Sequence, residues 1–349
     1  PDEAFESLYW VANLGYSIEQ AINEAGLKIP TEDVDPHDIE EALKHPDSLR
    51  RFTFIEDSDE LIEMLNEPLE KWRVFLHPSQ AYLAKGDFSG PFRVLGGAGT
   101  GKTVVAMHRA KHLARNVFNS EGEKILFTTY TRNLANNIDE LLSSLCGDEY
   151  QRIEVFNLHR WAVNFLHTQG IHIDIASEKE INQCWQDVFS ALGASEWDED
   201  FVRGEWKYVI QQQGISKKHQ YLRTLRKGRR VRISRAQRAK VWEYLDEYKQ
   251  NLSNINKLEW VDLIRETRLF LSHKKVSLPY RAIVVDESQD MHPEELKLIR
   301  EMVPEGGNDL FLVGDAHQRI YGILVIFSHC GIQHARRIHS DLRALPANI

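Results

Sequence analysis

Cysteine is scarce in this 349-residue chain: Cys146, Cys184 and Cys330 lie far apart, with no CxxC pair among them. That excludes a cysteine-held zinc or iron–sulfur site and a disulfide framework, and it fits a reducing cytoplasm. Long apolar runs are missing as well. No stretch approaches the ~18–20 residues needed to span a bilayer, so no membrane partner is expected. The first residues, PDEAFESLYW, have neither a basic n-region nor a long apolar segment, so no secretory signal is read in them. Internal repeats and low-complexity linkers are absent too. What is present is ordinary for a globular chain, 42% hydrophobic and 27% charged residues, and the length suggests two or three domains.

The net charge of −9 disfavours a nucleic-acid partner until its distribution is considered. Residues 1–70 hold 19 acidic against 4 basic side chains, which leaves +6 for residues 71–349. Within the latter, residues 216–240 carry 11 Lys and Arg and no acid. Such a block is either a solvated face or an electrostatic footprint for phosphates, with Arg226, Lys227, Arg229 and Arg230 at its centre.

Residues 1–74 read as a small acidic, α-rich appendage without a chemical motif. From Phe92 the texture becomes α/β. Apolar strand-like runs at 92–95, 125–129, 153–156, 282–285 and 310–313 alternate with segments of helical periodicity. Residues 157–270 are predominantly helical, Trp-bearing and basic.

Two motifs carry chemistry. Gly96-Gly97-Ala98-Gly99-Thr100-Gly101-Lys102-Thr103 fits G-x-x-x-x-G-K-[ST] between a strand and a helix. Its glycines let backbone N–H groups converge on phosphates, Lys102 reaches the β- and γ-phosphates, and the Thr103 hydroxyl suits Mg²⁺. Asp286-Glu287 ends the apolar run Ala282–Val285, where Asp286 is placed to hold Mg²⁺ and Glu287 to orient the attacking water. ATP and Mg²⁺ are the expected cofactors. Because these motifs must meet around one metal, most of the sequence between them is expected to fold outside the sheet.

Together the motifs resemble the UvrD/Rep-type superfamily 1 DNA helicases. Asp286-Glu287-Ser288-Gln289 is similar to their D-E-x-Q motif, and Gly314-Asp315-Ala316-His317-Gln318-Arg319-Ile320-Tyr321-Gly322 to their third motif. His77-Pro78-Ser79-Gln80 resembles the adenine-reading Q element, Thr129-Tyr130-Thr131-Arg132 motif Ia, and Asn157-Leu158-His159 motif Ib. The resemblance implies that Gln80 reads adenine and that Gln318 senses the γ-phosphate as part of the catalytic set with Lys102 and Glu287. It also implies that Tyr130, Arg132 and His159 contact single-stranded DNA. Core packing for Tyr130 and a structural role for His159 are the alternatives. The basic block would then approach a duplex junction.

The resemblance further implies a RecA-like P-loop lobe in two parts, 75–160 and 260–330, with a helical basic insertion at 161–259. Residues 331–349 would begin a second lobe that is missing. Ile323-Leu324 stand where the family has an aromatic and an arginine, and no N-Y-R triplet follows. The expectation is an ATP-dependent DNA helicase whose second lobe comes in cis or from a partner chain, so that this chain alone hydrolyses ATP slowly. A nucleotide-gated binding module without motor activity and an RNA helicase of the same superfamily are the alternatives.

Overall fold

The computed structural model describes residues 74–77, 80–193, 197–226, 229, 231–315, 327–332 and 336–338. Nearly all of the acidic appendage, most of 331–349, and the expected site residues Lys227, Arg230 and Gln318 lie outside the described residues.

The described part begins with helix α1 (Ala81–Lys85), strand β1 (Phe92–Leu95) and helix α2 (Lys102–His112), which runs on into a π-helical turn at Leu113–Val117. Strand β2 (Lys124–Thr129), helix α3 (Arg132–Leu145), strand β3 (Ile153–Asn157) and helix α4 (Leu158–Thr168) follow. A mostly helical excursion holds β4 (Asp174–Ile175), α5 (Glu178–Leu192), α6 (Glu199–Glu205), α7 (Lys218–Arg223), α8 (Arg235–Asn254) and β5 (Lys257–Leu258). The chain returns through α9 (Trp260–Lys274), β6 (Tyr280–Val285), α10 (Pro293–Met302), β7 (Leu310–Gly314) and β8 (Arg336–Ile338).

Six strands form one parallel sheet in the order β3-β2-β6-β7-β1-β8. Helices cover both faces, which is why the strands read as continuous apolar runs. Successive side chains of a strand point to opposite faces. Accordingly Leu126, Ile283, Val285, Leu310 and Leu312 pack with α4, α9 and α10. Ile125, Phe127, Ala282, Val284, Phe311 and Val313 pack with α2 and α3. The order has a consequence for function: β7 lies between β1 and β6, so the glycine loop and the acidic pair face each other across the end of β7.

The excursion has its own core. Trp185 stacks on Tyr248 with centroids 3.9 Å apart, and Trp206 meets the same ring edge-on at 5.1 Å. Strands β4 and β5 pair in parallel, so the departing and returning ends of the excursion are tied together. Helix α4, which the expected boundary at 161 divides, packs Trp161, Ala162, Phe165 and Leu166 into the sheet-side core.

Candidate nucleotide site and nucleic-acid face

In a parallel sheet every strand presents its carboxyl end at one edge, where ligands bind in open α/β folds. Gly96 follows β1, Tyr130 follows β2, Asp286 follows β6 and Asp315 follows β7, so these residues share that edge. Gly99 and Gly101 take φ of 73° and 81°, a left-handed backbone that only glycine adopts without strain. Thr100 Oγ1 donates to Gly97 O at 2.8 Å and closes the loop. Lys102 opens α2 and turns back, its Nζ donating to Gly96 O at 2.9 Å and Gly97 O at 2.6 Å. Gly97, Ala98 and Gly99 are exposed at the mouth of the loop. Gln80, the N-cap of α1, lies against the same loop and donates from Nε2 to Thr100 O at 3.0 Å.

The acidic pair arrives from the other side of β7. Thr103 Oγ1 donates to Asp286 Oδ2 at 2.8 Å, and Glu287 N–H donates to Asp286 Oδ1 at 3.0 Å. Burial pushes the Asp286 carboxyl up to about 6 against the pull of Thr103. Glu287 has φ of 52°, a left-handed conformation uncommon outside glycine and typical of strained functional sites.

Two residues without an assigned role in the sequence hold this pair in place. Gln289 donates from Nε2 to Glu287 Oε2 at 2.6 Å and accepts the Asp315 N–H at 2.8 Å through Oε1. It therefore joins the acidic pair to the end of β7. A Cβ on Gly314 would stand 2.5 Å from Gln289 Oε1 and 2.7 Å from Ser288 Oγ, so the bridge requires glycine there. The D-E-x-Q spacing was the available signal for Gln289. Nothing local marked Gly314 as a position of close approach.

The site fits a hard divalent cation. Asp286 is fully buried, and the nearby Lys102 ammonium bonds to carbonyls instead of to its carboxylate. A buried carboxylate beside a threonine hydroxyl is an oxygen donor set of the kind Mg²⁺ takes with phosphate oxygens and water. Among the described residues there is no cluster of three or more His, Cys, Asp or Glu side chains suited to a metal.

The expected nucleic-acid residues divide into two groups. Tyr130, Arg132 and His159 lie at the carboxyl edge of the sheet. Asn157 donates from Nδ2 to Tyr130 O at 2.6 Å and caps α4 by accepting the Arg160 N–H, so it fixes the end of β2 to the end of β3. Arg132 is exposed at the start of α3. His159 is mostly buried, with Nε2 3.4 Å from Glu295 Oε1 and its ring edge-on to Trp260 at 4.9 Å. Burial lowers the His159 pKa to about 4 and raises that of Glu295 to about 7, so it favours the neutral form of both partners. Trp260 itself is 45% exposed.

Arg226 and Arg229 are arranged differently from the expected phosphate-facing block. Both reach Glu205, which is fully buried: Arg226 Nε and Nη2 donate at 2.7 and 2.6 Å, and Arg229 Nε at 2.8 Å. Tyr221 Oη donates to the same carboxylate at 2.8 Å. Burial pushes the Glu205 carboxyl up, but these donors together hold it below the usual carboxylate range. The Arg226 side chain is 5% exposed and its Nη1 donates to Val231 O. The two guanidiniums thus face inward, because a single acid upstream of the basic run captures them.

Among the described residues no helix is long and apolar enough to cross a membrane. The sequence profile of the UvrD/REP helicase N-terminal domain matches residues 76–324. The chain is 29% identical over 256 residues to the ATP-dependent DNA helicase UvrD1 of Mycobacterium bovis, a match covering 66% of this chain and 32% of that protein. It is 27% identical to the ATP-dependent DNA helicase PcrA of Leuconostoc citreum, over 67% of this chain and 31% of the relative. To the ATP-dependent DNA helicase Rep of Buchnera aphidicola it is also 27% identical, over 67% and 34%. The chain thus spans about a third of the length of the curated relatives it matches. With the phosphate loop, the acidic pair and the parallel sheet all inside the matched region, the chain belongs to the UvrD/REP helicase N-terminal domain family.

Proposed function

We propose that this chain is the ATP-binding lobe of a UvrD/Rep-type DNA helicase, coupling ATP hydrolysis to its grip on single-stranded DNA. The observation that carries the reading is the meeting of Thr103 and Asp286 beside Lys102, with Glu287 held next to them by Gln289. In this reading the loop N–H groups and Lys102 bind the β- and γ-phosphates, and Lys102 exchanges the carbonyls of Gly96 and Gly97 for phosphate oxygens. Thr103 and Asp286 would hold Mg²⁺, which when bound neutralises charge on the phosphate oxygens. Glu287 orients the water that attacks the γ-phosphorus and accepts its proton, breaking the β–γ bond. Gln80 reads the adenine edge with its side-chain amide, and Gln318 senses the γ-phosphate.

Single-stranded DNA is proposed to run along the carboxyl edge of the sheet, over Tyr130, Arg132 and the His159–Trp260 pair. An exposed aromatic there is a stacking platform worth ~1–3 kcal/mol per base. The helical excursion is proposed to face a duplex junction. Rapid turnover is proposed to need an arginine from a second lobe, in cis or in trans, since such a residue is worth about 10³–10⁵ in rate. Steady-state ATP hydrolysis with and without single-stranded DNA, using Glu287→Gln as the blank, tests this reading. Slow turnover that rises with DNA and vanishes in the variant supports it. Equal turnover in the variant overturns it.

A further inference from the structure

Arg109 lies on α2, seven positions after Lys102, so about two turns or ~10 Å separate them along one helix face. Its side chain is 1% exposed, and among the described residues no carboxylate is bonded to it. Burial pulls its pKa down to about 10. A cation buried without a directly bonded anion is costly, and the nearby Asp87 carboxylate, which the Asn308 amide also contacts, offsets only part of that cost. What an apolar side chain lacks is donors, and the two terminal nitrogens of Arg109 have specific targets, while its buried Nε has none among the described residues. Nη1 donates to Ala84 O at 3.2 Å and Gly86 O at 2.6 Å, the open carbonyls at the end of α1. Nη2 donates to Asn308 Oδ1 at 2.7 Å, which also receives the Phe88 N–H at 2.8 Å. The Phe88 and Phe311 rings flank the guanidinium, with its carbon 4.8 and 5.4 Å from their centroids.

Helix α1 is only five residues long, and Gln80 stands at its start. So short a helix has no stable orientation of its own. It is held at both ends: Gln80 Nε2 on Thr100 O at the front, Arg109 on the carbonyls at the back. Both anchors belong to the glycine loop and the helix that follows it. The amide of Gln80 is therefore fixed in the same frame as Lys102.

We propose that Arg109 is a positioning residue for nucleotide-base selection, holding the helix that carries Gln80 in register with the phosphate cradle. This rests on the proposed reading of Gln80 as the base reader. Arg109 touches neither phosphate nor base. Its loss frees the base-reading amide and leaves the phosphate contacts in place, so the effect falls on discrimination between bases and not on binding of the triphosphate.

The test is equilibrium binding of ATP, GTP and inorganic tripolyphosphate, each with Mg²⁺, to the wild-type chain and to Gln80→Ala, Arg109→Lys and the double variant. Lysine keeps the charge and loses the fork. Expected for Arg109→Lys is a fall of up to about tenfold in the preference for ATP over GTP, the scale of one hydrogen bond, with tripolyphosphate affinity unchanged. In the Gln80→Ala background Arg109→Lys is expected to change the preference no further, because both act through one amide. Asn308→Gly keeps the left-handed backbone at φ 63° and leaves Arg109 in place while removing the amide that receives Nη2 and the Phe88 N–H and donates to Asp87, so it carries the test if Arg109→Lys fails to fold. It should give a smaller loss of the same preference. A wild type without preference for ATP over GTP overturns the Gln80 reading and this inference together. A preference lost in Gln80→Ala but kept in Arg109→Lys and Asn308→Gly overturns this inference alone. Equal losses for all three ligands in Arg109→Lys also overturn it, since they mark a merely structural role.

Discussion

Thr103 and Asp286 are 183 positions apart in the sequence, and the hydroxyl of one donates to the carboxylate of the other at 2.8 Å. The contact depends on a strand that belongs to neither motif. Because β7 separates β1 from β6, the end of β7 forms the floor between loop and acid, and Gly314 gives that floor its clearance.

Gly314→Ala is therefore expected to displace Gln289 and, through it, Glu287. A misplacement of about 1 Å at a reacting group costs on the order of a hundredfold in rate. ATP hydrolysis should fall by that order while ATP affinity changes little, as Lys102 and Thr103 are untouched. Steady-state kinetics beside an equilibrium nucleotide titration check this. Unchanged kcat would show that the Gln289 bridge does not set Glu287.

Arg226→Met should act on the stability of the excursion and not on DNA electrostatics. Removing one partner of a buried ion pair typically costs ~3–5 kcal/mol, and Glu205 is fully buried. A residue that neutralises a DNA phosphate, by comparison, flattens the log–log salt dependence of binding by about 0.7–0.9 when it is removed. The variant is expected to unfold at lower denaturant concentration and to keep the wild-type salt slope. A flattened slope with unchanged stability would return Arg226 to the DNA face.

Glu295 gives a pH signature. Its folded-state pKa is raised to about 7 by burial, so the stability it contributes is complete below the ordinary carboxylate range and is lost as pH rises through 7. His159 and His292, both packed near it and lowered to about 4 by burial, act in the opposite sense. Their contribution is present above the ordinary histidine range and is lost as pH falls toward 4. Glu295→Gln removes one side of this balance. Relative to wild type the variant should gain stability steadily between about pH 4.5 and 7, by a few kcal/mol at most at ~1.4 kcal/mol per pKa unit. Urea midpoints across that range test it, and a pH-independent difference would contradict it.

Trp260→Ala should weaken single-stranded DNA binding by ~1–3 kcal/mol without altering ATP affinity, since its ring is 45% exposed and packs beside His159 rather than on the glycine loop. Fluorescence titration with a short oligonucleotide provides the measurement. Unchanged DNA affinity would remove the His159–Trp260 pair from the proposed track.

Much of the lobe was legible because its signals are local. A buried parallel strand needs a continuous apolar run, and Ala282–Val285 and Leu310–Val313 advertise one each. The phosphate loop is eight adjacent residues with a fixed chemical purpose. Three kinds of information were not local. Charge counting over 216–240 does not register Glu205, which lies outside the window and turns two of its arginines inward. The role of Arg109 depends on Ala84, Gly86 and Asn308, which only the fold assembles. The start of the excursion was obscured because α4 and the helices beyond it share one periodicity, while only packing shows that Trp161 and Phe165 serve the sheet.

The most direct measurement is the affinity of the chain for a non-hydrolysable ATP analogue with and without Mg²⁺, repeated on Lys102→Ala and Asp286→Asn. Expected is binding that strengthens with Mg²⁺ in the wild type, is lost in Lys102→Ala, and persists without its Mg²⁺ dependence in Asp286→Asn. Wild-type affinity and Mg²⁺ dependence in both variants would contradict the nucleotide site.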